Sequence, residues 1–301
     1  MKILILGKNG QVGWELQRAL QPLGEVLALD RHLDLQSKLC GDITNFVEIT
    51  RTIQKFKPDI VCNATAYTHV DQAESEPLQA DLINHIAVKH LSTDCQLNQI
   101  LLIHYSTDYV FNGQGDVAWT EQDETQPINT YGQSKRLGEM ALEQSGVKFI
   151  NFRTSWVYGV HGNNFLKTML RLAQQKDELN IIGDQIGAPT GAALIADVTA
   201  HVIQYYQLNQ DKQHQLHGHY HLAAQGETSW FDYANFIFQT AEAKGHILKL
   251  KRVNPIPTQN YPTPARRPLN SRLNSQKLQQ TFRLYLPLWK QGVEHVIERI
   301  L

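Results

Sequence analysis

Tyr131 and Lys135 stand four residues apart in the run Tyr131-Gly132-Gln133-Ser134-Lys135, which puts a phenol and an ammonium on one face of a helix. An ammonium stabilises phenolate, so such a pair is suited to passing a proton to a substrate oxygen. The demand on it is large. A free tyrosine titrates near pH 10, and bringing it towards neutrality takes about 3 pH units, or roughly 4 kcal/mol, of differential stabilisation. Upstream, Ser106-Thr107-Asp108-Tyr109 follows the apolar run Leu101–Tyr105, which has the composition of a strand. The carboxyl ends of strands are where open α/β sheets bind their ligands, and a hydroxyl there can hydrogen-bond the oxygen that receives the proton.

A second constellation supplies what such a proton donor works beside. Gly7-Lys8-Asn9-Gly10-Gln11-Val12-Gly13 comes directly after the apolar run Lys2–Leu6 and opens an amphipathic stretch. A dinucleotide pyrophosphate placed there meets unpaired N–H groups and the positive end of a helix. Ordinary turns also use glycine, so the spacing gains its meaning from an acidic residue further along. Asp30 closes the second strand about twenty residues on, where a carboxylate accepts the ribose hydroxyls of an adenosine. That position favours NADH, whereas Arg31 and His32 offset repulsion from a 2′-phosphate and leave NADPH open. A cationic nicotinamide beside Tyr131 adds the second charge that its phenolate needs. Asp42-Ile43 has two readings: the end of a third strand touching adenine, or an Asp-Ile-Thr turn at a helix N-terminus.

These groups need a frame that brings strand ends together. Strands are expected at Lys2–Leu6, Glu25–Leu29, Asp59–Asn63, Leu101–Tyr105 and Phe149–Arg153, with helices at Gln11–Leu20, Asn45–Phe56, Leu78–Asn98 and Tyr131–Ser145. Right-handed crossovers make this an α/β, doubly wound parallel Rossmann sheet. Beyond Arg153 the alternation weakens, with helices expected at Asn164–Gln174, Ala192–Tyr206 and after Ser229, and a strand near Tyr220–Ala223. Residues 1–154, completed by 192–224, form the dinucleotide-binding domain in this reading. Residues 155–191 and 225–301 form a smaller mixed α/β substrate lobe. The stretch Asn254–Asn270 holds five of the eleven prolines and reads as an ordered, irregular loop. Gly113–Pro127 reads as a polar flap ahead of the Tyr131 helix.

The whole chain narrows the function classes. In 301 residues, 28 Lys and Arg nearly cancel 29 Asp and Glu, so no global field favours nucleic acid or an anionic membrane. Cys40, Cys62 and Cys95 have neither the number nor the spacing of a disulfide framework or a zinc site, which fits a reducing cytoplasm. Ile3–Leu6 is too short for a signal peptide, and no later run approaches a membrane span. Three other features have plainer readings. His217, His219 and His221 alternate and would share one strand face, but no carboxylate or cysteine with ligand spacing joins them, so they read as solvated strand-end histidines. Lys244–Arg252 has few aromatics among its charges and reads as an exposed helix end and strand. Trp156 reads equally well as core packing.

Taken together, the residues resemble the extended short-chain dehydrogenase/reductase family. The resembling stretches are GKNGQVGWEL at Gly7–Leu16, NATAYTHVDQAE at Asn63–Glu74, STDYVF at Ser106–Phe111, YGQSK at Tyr131–Lys135, RTSWVYG at Arg153–Gly159, GDQIGAPTG at Gly183–Gly191 and TPARRPLNSRLN at Thr263–Asn274. They are most similar to the branch that reduces the 4-keto group of dTDP-4-dehydro-β-L-rhamnose with NADPH or NADH. The resemblance implies that Gly7, Gly10, Gln11, Val12, Asp30, Asp42, Ile43, Ala66, Tyr67 and Thr68 contact the dinucleotide. It implies Tyr131 as proton donor, Lys135 on the nicotinamide ribose, and Thr107 either tuning Tyr131 or binding the keto oxygen. Thr107, Asp108 and Trp156 would contact the sugar nucleotide. Arg266 and Arg267, in a proline-stiffened loop, have guanidinium forks that match its diphosphate.

Two departures from family patterns carry weight. Dehydratases of this family follow the strand-end Thr with Asp-Glu, and here Tyr109 replaces that glutamate, which argues for reduction without loss of water. Some relatives dimerise through a magnesium ion held by glutamates, where the usual Thr-Gly-Ala-Glu is Thr190-Gly191-Ala192-Ala193 in this chain. That argues against a magnesium-bridged assembly and leaves a homodimer open. The alternatives are a dehydratase or epimerase of the same family, or a non-catalytic dinucleotide-binding regulatory subunit.

Overall fold

Ile3, Leu4, Ile5 and Leu6 are all completely buried, so the strand Lys2–Leu6 is covered on both faces. Successive strand side chains point to opposite sides, and a run of this kind belongs in the middle layer of three. The computed structural model, which describes every residue from Met1 to Leu301, shows those layers. Six parallel strands form one sheet in the order Gly218–His221, Phe149–Thr154, Leu101–Thr107, Ile60–Asn63, Lys2–Leu6, Glu25–Leu29. On one face Ile3 and Ile5 pack with Leu16 and Leu20 of helix Gln11–Leu20 and with Ile195, Val198 and Val202 of helix Ala192–Leu208. On the other, Leu4 and Leu6 pack with Ile49 and Ile53 of helix Phe46–Phe56, Leu91 of Ala87–Leu97 and Leu142 of Thr130–Ser145. This is the doubly wound Rossmann sheet that the alternating pattern predicts.

The third strand expected near Asp42 does not form. Between Glu25–Leu29 and Ile60–Asn63 the chain makes only an isolated bridge between Leu33 and Cys40. The reason is local: Asp34 accepts from the Ser37 N–H and hydroxyl, and Asp42 accepts from the Thr44 N–H and hydroxyl, so short polar side chains divert the backbone into turns. Asn45 then caps Phe46–Phe56 by accepting from Glu48 N–H. Of the two readings of Asp42-Ile43, the turn describes the backbone.

A third cluster gathers Tyr158, Leu166, Met169, Ile181, Tyr233, Phe238, Trp289, Val293 and Ile297 away from the sheet. It is built by helices Phe165–Gln175, Trp230–Ala243 and Trp289–Ile300 with small strand pairs, among them Glu178–Ile182 beside Arg252–Ile256. That last pairing takes Asn254, Pro255 and Ile256 out of the predicted loop. A two-stranded ladder has an open edge on each strand, where a proline's missing N–H is tolerated. Leu278, Phe282 and Leu286, near the C-terminus, pack instead with the sheet-side core. Pro77–Asp81 and Ala87–Leu97 are joined by a π-helical turn, Leu82–Ile86, inside the stretch predicted as one helix. No helix is long and apolar enough to cross a membrane.

Candidate active site

Gly7 leaves the first strand at φ +86°, and a Cβ there would lie 2.9 Å from the carbonyl of Ala64. Glycine is the residue that adopts this conformation without strain. A Cβ on Gly13 would fall 2.1 Å from Gly7 O, so the turn and the helix Gln11–Leu20 meet backbone to backbone. Gly10 caps that helix with no side chain, leaving its first N–H groups for an anion. The turn lies where the strand order reverses, between Lys2–Leu6 and Ile60–Asn63. A second segment holds it down: His161 stacks on Trp14 with ring centroids 4.3 Å apart and bonds Asn9 O at 2.9 Å, while Asn164 bonds Gln11 Oε1 at 3.0 Å.

Two adjoining cavities share Asn9, Gly10 and Ala64–Ala66 and make one groove along the carboxyl ends of the strands. The first, of about 570 Å³, is lined by Gly7, Asp30, Arg31, Asp42 and Ile43 among others. Asp30 accepts from Asn9 Nδ2 at 2.5 Å and from His32 N–H at 2.8 Å, which fixes its carboxylate in the wall. The second, of about 360 Å³, is lined by Gln11, Val12, Thr68, Ser106, Tyr131, Lys135 and Thr154. Thr154 Oγ1 is buried there with no hydrogen-bond partner. The groove, its donors and its glycine floor fit a dinucleotide. Tyr67 is placed outside it, with its N–H on Asn84 Oδ1 and its hydroxyl on Glu76.

The helix Thr130–Ser145 starts one residue earlier than its apolar spacing predicts, because Asn129 caps it at Gly132 N–H and Glu74 accepts from Thr130 N–H and hydroxyl. Gly132 lets it approach closely, since a Cβ there would stand 2.2 Å from Tyr109 O. Tyr131 meets Tyr109 edge to face at 5.6 Å, and its phenol is pushed up by burial while the Thr107 hydroxyl pulls it back. Thr107 also accepts from Tyr109 N–H at 3.2 Å and donates to Asp108 at 3.0 Å. Burial raises the Asp108 carboxyl to about 6. Lys135 is 2% exposed, and burial lowers it to about 8, with Glu139 opposing. Its Nζ donates to Tyr105 O at 2.7 Å and lies 3.5 Å from His104 Nε2. Tyr131 and Lys135 line the same cavity.

The residues expected on the sugar-nucleotide side are less uniform. Trp156 takes φ +49° and stacks on Trp230 with centroids 3.6 Å apart. Arg267 is committed to Asp71 at 2.7 Å and to the Tyr109 hydroxyl at 3.2 Å, whereas the Arg266 guanidinium is exposed and makes no ion pair or hydrogen bond. The expected flap is tied down, as Trp119 exchanges backbone bonds with Arg272 and Asn274 and stacks on Phe111. The histidine run also differs from expectation. His221 is fully buried, not solvated, with Nδ1 on Trp119 O. His104, Asn63 and Asn84 were missed; polar residues inside predicted strands and helices were the available signal.

Residues 1–301 match the family model described as the RmlD substrate binding domain. The chain belongs to that family. It is 50% identical over 300 residues to the dTDP-4-dehydrorhamnose reductase of Escherichia coli K12, covering 100% of this chain and 98% of that protein. Identity to the protein of the same name from Burkholderia thailandensis is 42%, over 100% of this chain and 99% of that one. Among solved structures, the dTDP-4-dehydrorhamnose reductase of Bacillus anthracis in complex with NADP superposes with TM-score 0.86 at 35% identity, covering 99% of each chain.

As a member of the RmlD family, the chain is an NAD(P)H-dependent reductase of the extended short-chain dehydrogenase/reductase type. Tyr109, where dehydratases carry glutamate, is pushed up to about 12 chiefly by burial, and is no base at neutral pH. On the face carrying Ala193, the nearby carboxylates are already paired. Glu15 and Asp197 both engage Arg18, at 3.2 and 2.7 Å, and Ala193 has no side-chain oxygen.

Proposed function

We propose that Tyr131, Thr107 and Lys135 reduce the 4-keto group of dTDP-4-dehydro-β-L-rhamnose to give dTDP-β-L-rhamnose. The observation that carries this reading is the continuous groove from Asp30 to Tyr131, with Lys135 and Ser106 in the wall beside the phenol at its inner end. A reduced nicotinamide bound there supplies the hydride to carbon 4. Tyr131 gives its hydroxyl proton to the carbonyl oxygen as the alcohol forms. Thr107 holds that phenol in line, and Lys135 holds the nicotinamide ribose from the buried side. Asp30, Gly10, Val12, Ala66 and Thr68 hold the rest of the dinucleotide. Arg266, without a partner of its own, takes the sugar-nucleotide diphosphate, while Arg267 anchors Tyr109 beside the reacting centre. Asp108 and Trp156 face the sugar. Three free, buried cysteines support a cytoplasmic setting.

Stoichiometry tests the reading. With dTDP-4-dehydrorhamnose and a measured amount of NADPH or NADH, one reduced cofactor should be consumed per sugar. With dTDP-glucose and NAD, no 4-keto-6-deoxy sugar should appear. Catalytic formation of that product with no net change in cofactor would replace reduction by elimination.

A further inference from the structure

His104 lies inside the strand Leu101–Thr107, 1% exposed, with both ring nitrogens facing polar partners. Asn63 ends the neighbouring strand, and its orientation is fixed because Oδ1 accepts from Thr65 N–H at 3.2 Å and from the Thr65 hydroxyl at 2.5 Å. Its Nδ2 therefore points at His104, 3.2 Å from Nδ1. A ring nitrogen that accepts a hydrogen bond carries no proton, so neutral His104 has its proton on Nε2. That nitrogen lies 3.5 Å from Lys135 Nζ. An ammonium has only N–H bonds and is repelled by a facing donor, whereas a neutral amine has a lone pair that accepts it.

We propose that His104 is a positioning residue for Lys135: locked by Asn63 as its Nε2–H tautomer, it favours the neutral amine and sets the pH above which the enzyme loses its lysine charge. The proposal rests on Lys135 being the lysine that serves the Tyr131 reaction. Other titratable and charged groups face the pair from each packed element. Glu139 comes from the lysine's own helix and His219 from the edge strand, while Tyr131 lines the same cavity as Lys135 and Arg153 reaches the pair through Glu139. Glu139 favours the ammonium but is itself neutralised by Arg153 at 2.8 Å. Burial first, then the Lys135 charge, keeps His104 well below its ordinary value, and His219 acts in the same direction. His104 thus stays neutral and its tautomer does not change across the working range.

Two conservative variants separate the two ring nitrogens. In His104→Asn the amide sits near the Nδ1 position and serves Asn63, with no donor left for Lys135. In His104→Gln the amide reaches the Nε2 position and still offers Lys135 an N–H. The readout is the basic limb of kcat/KM against pH, with NADPH binding as a check on folding. His104→Asn should move the limb up by about one pH unit, and His104→Gln should leave it within about 0.3. An unmoved limb in His104→Asn, or equal movement in both, overturns the proposal. Independently, 15N NMR of the histidine-labelled wild-type enzyme should show His104 protonated at Nε2 and not titrating from pH 6 to 9; a proton on Nδ1 overturns it even if neither variant folds. Full turnover in Lys135→Ala would instead defeat the role given to the lysine, leaving the NMR result to judge the tautomer.

Discussion

The two ends of the groove solve different physical problems. At the outer end Asp30 is partly exposed, held by Asn9 and by the N–H of His32 two residues away, with Arg31 alongside. Water and salt screen charges there, and the partners come from the adjacent turn and the glycine loop. At the inner end Lys135 is almost fully buried, its partners His104 and Tyr105 come from the strand Leu101–Thr107, and the Arg153 that balances Glu139 comes from the next strand. A buried polar group left unpaired costs far more than an exposed one. The outer end can therefore vary locally, whereas the inner end is specified by the whole sheet.

The largest effect should come from the inner end. Tyr131→Phe should lower kcat by about 10²–10⁴-fold while the dinucleotide dissociation constant changes little, because only the proton-donating hydroxyl is lost. Single-turnover kinetics with a fluorescence titration of NADPH measure both, and near-normal turnover would remove Tyr131 from the chemistry. Stability draws the same contrast. Arg153→Ala should cost about 3–5 kcal/mol in urea unfolding by stranding Glu139, whereas Lys251→Ala, at the exposed Asp177 pair, should cost about 0–1 kcal/mol. Equal losses would mean that burial is not what sets the difference.

Acid should expose the inner end in two stages. The ring of His221 is held down to about 3 by burial, so from its ordinary 6.5 towards 3 the unfolded chain takes up a proton that the folded chain refuses, and stability falls. Glu139, lowered to about 2 with Arg153 the chief lowering partner, contributes stability above its ordinary 4.5 that is lost as pH falls through about 2. The melting temperature should decline from about pH 6.5 downward, and His221→Phe should make the first stage shallower, the remainder belonging to His104, which burial also holds down; an unchanged slope would refute the assignment.

Smaller effects belong to the periphery. Arg266→Ala should raise KM for the sugar nucleotide about tenfold with kcat nearly unchanged, since a diphosphate contact remote from carbon 4 binds substrate and transition state alike. Arg267→Ala should also lower kcat, through Tyr109. If the two variants behave identically, the division of labour between them is wrong. Asp30→Asn should weaken NADH binding by about 1 kcal/mol and NADPH binding less, read by isothermal titration.

Much of the frame was legible because it obeys local rules. The strands Lys2–Leu6 and Glu25–Leu29 and the helix Gln11–Leu20 lie where apolar periodicity and turn residues place them. The missing strand near Asp42 was not legible, because Asp34 and Asp42 bind their own neighbouring backbone, and an Asp in a loop has the same letter as one at a strand end. His221 was misread because alternation gives a face but not what covers it, and here Trp119 and Phe111 do.

The sequence by itself determined a parallel sheet with glycines at its switch point and a Tyr and Lys one helical turn apart, since these depend on φ/ψ limits and side-chain period. Tertiary structure alone decided that Lys135 meets His104 and that Arg267 spends its charge on Asp71. Those partners are far apart in the chain or on different elements. A desolvated polar atom bonds whichever group the packing delivers, and no local rule names it.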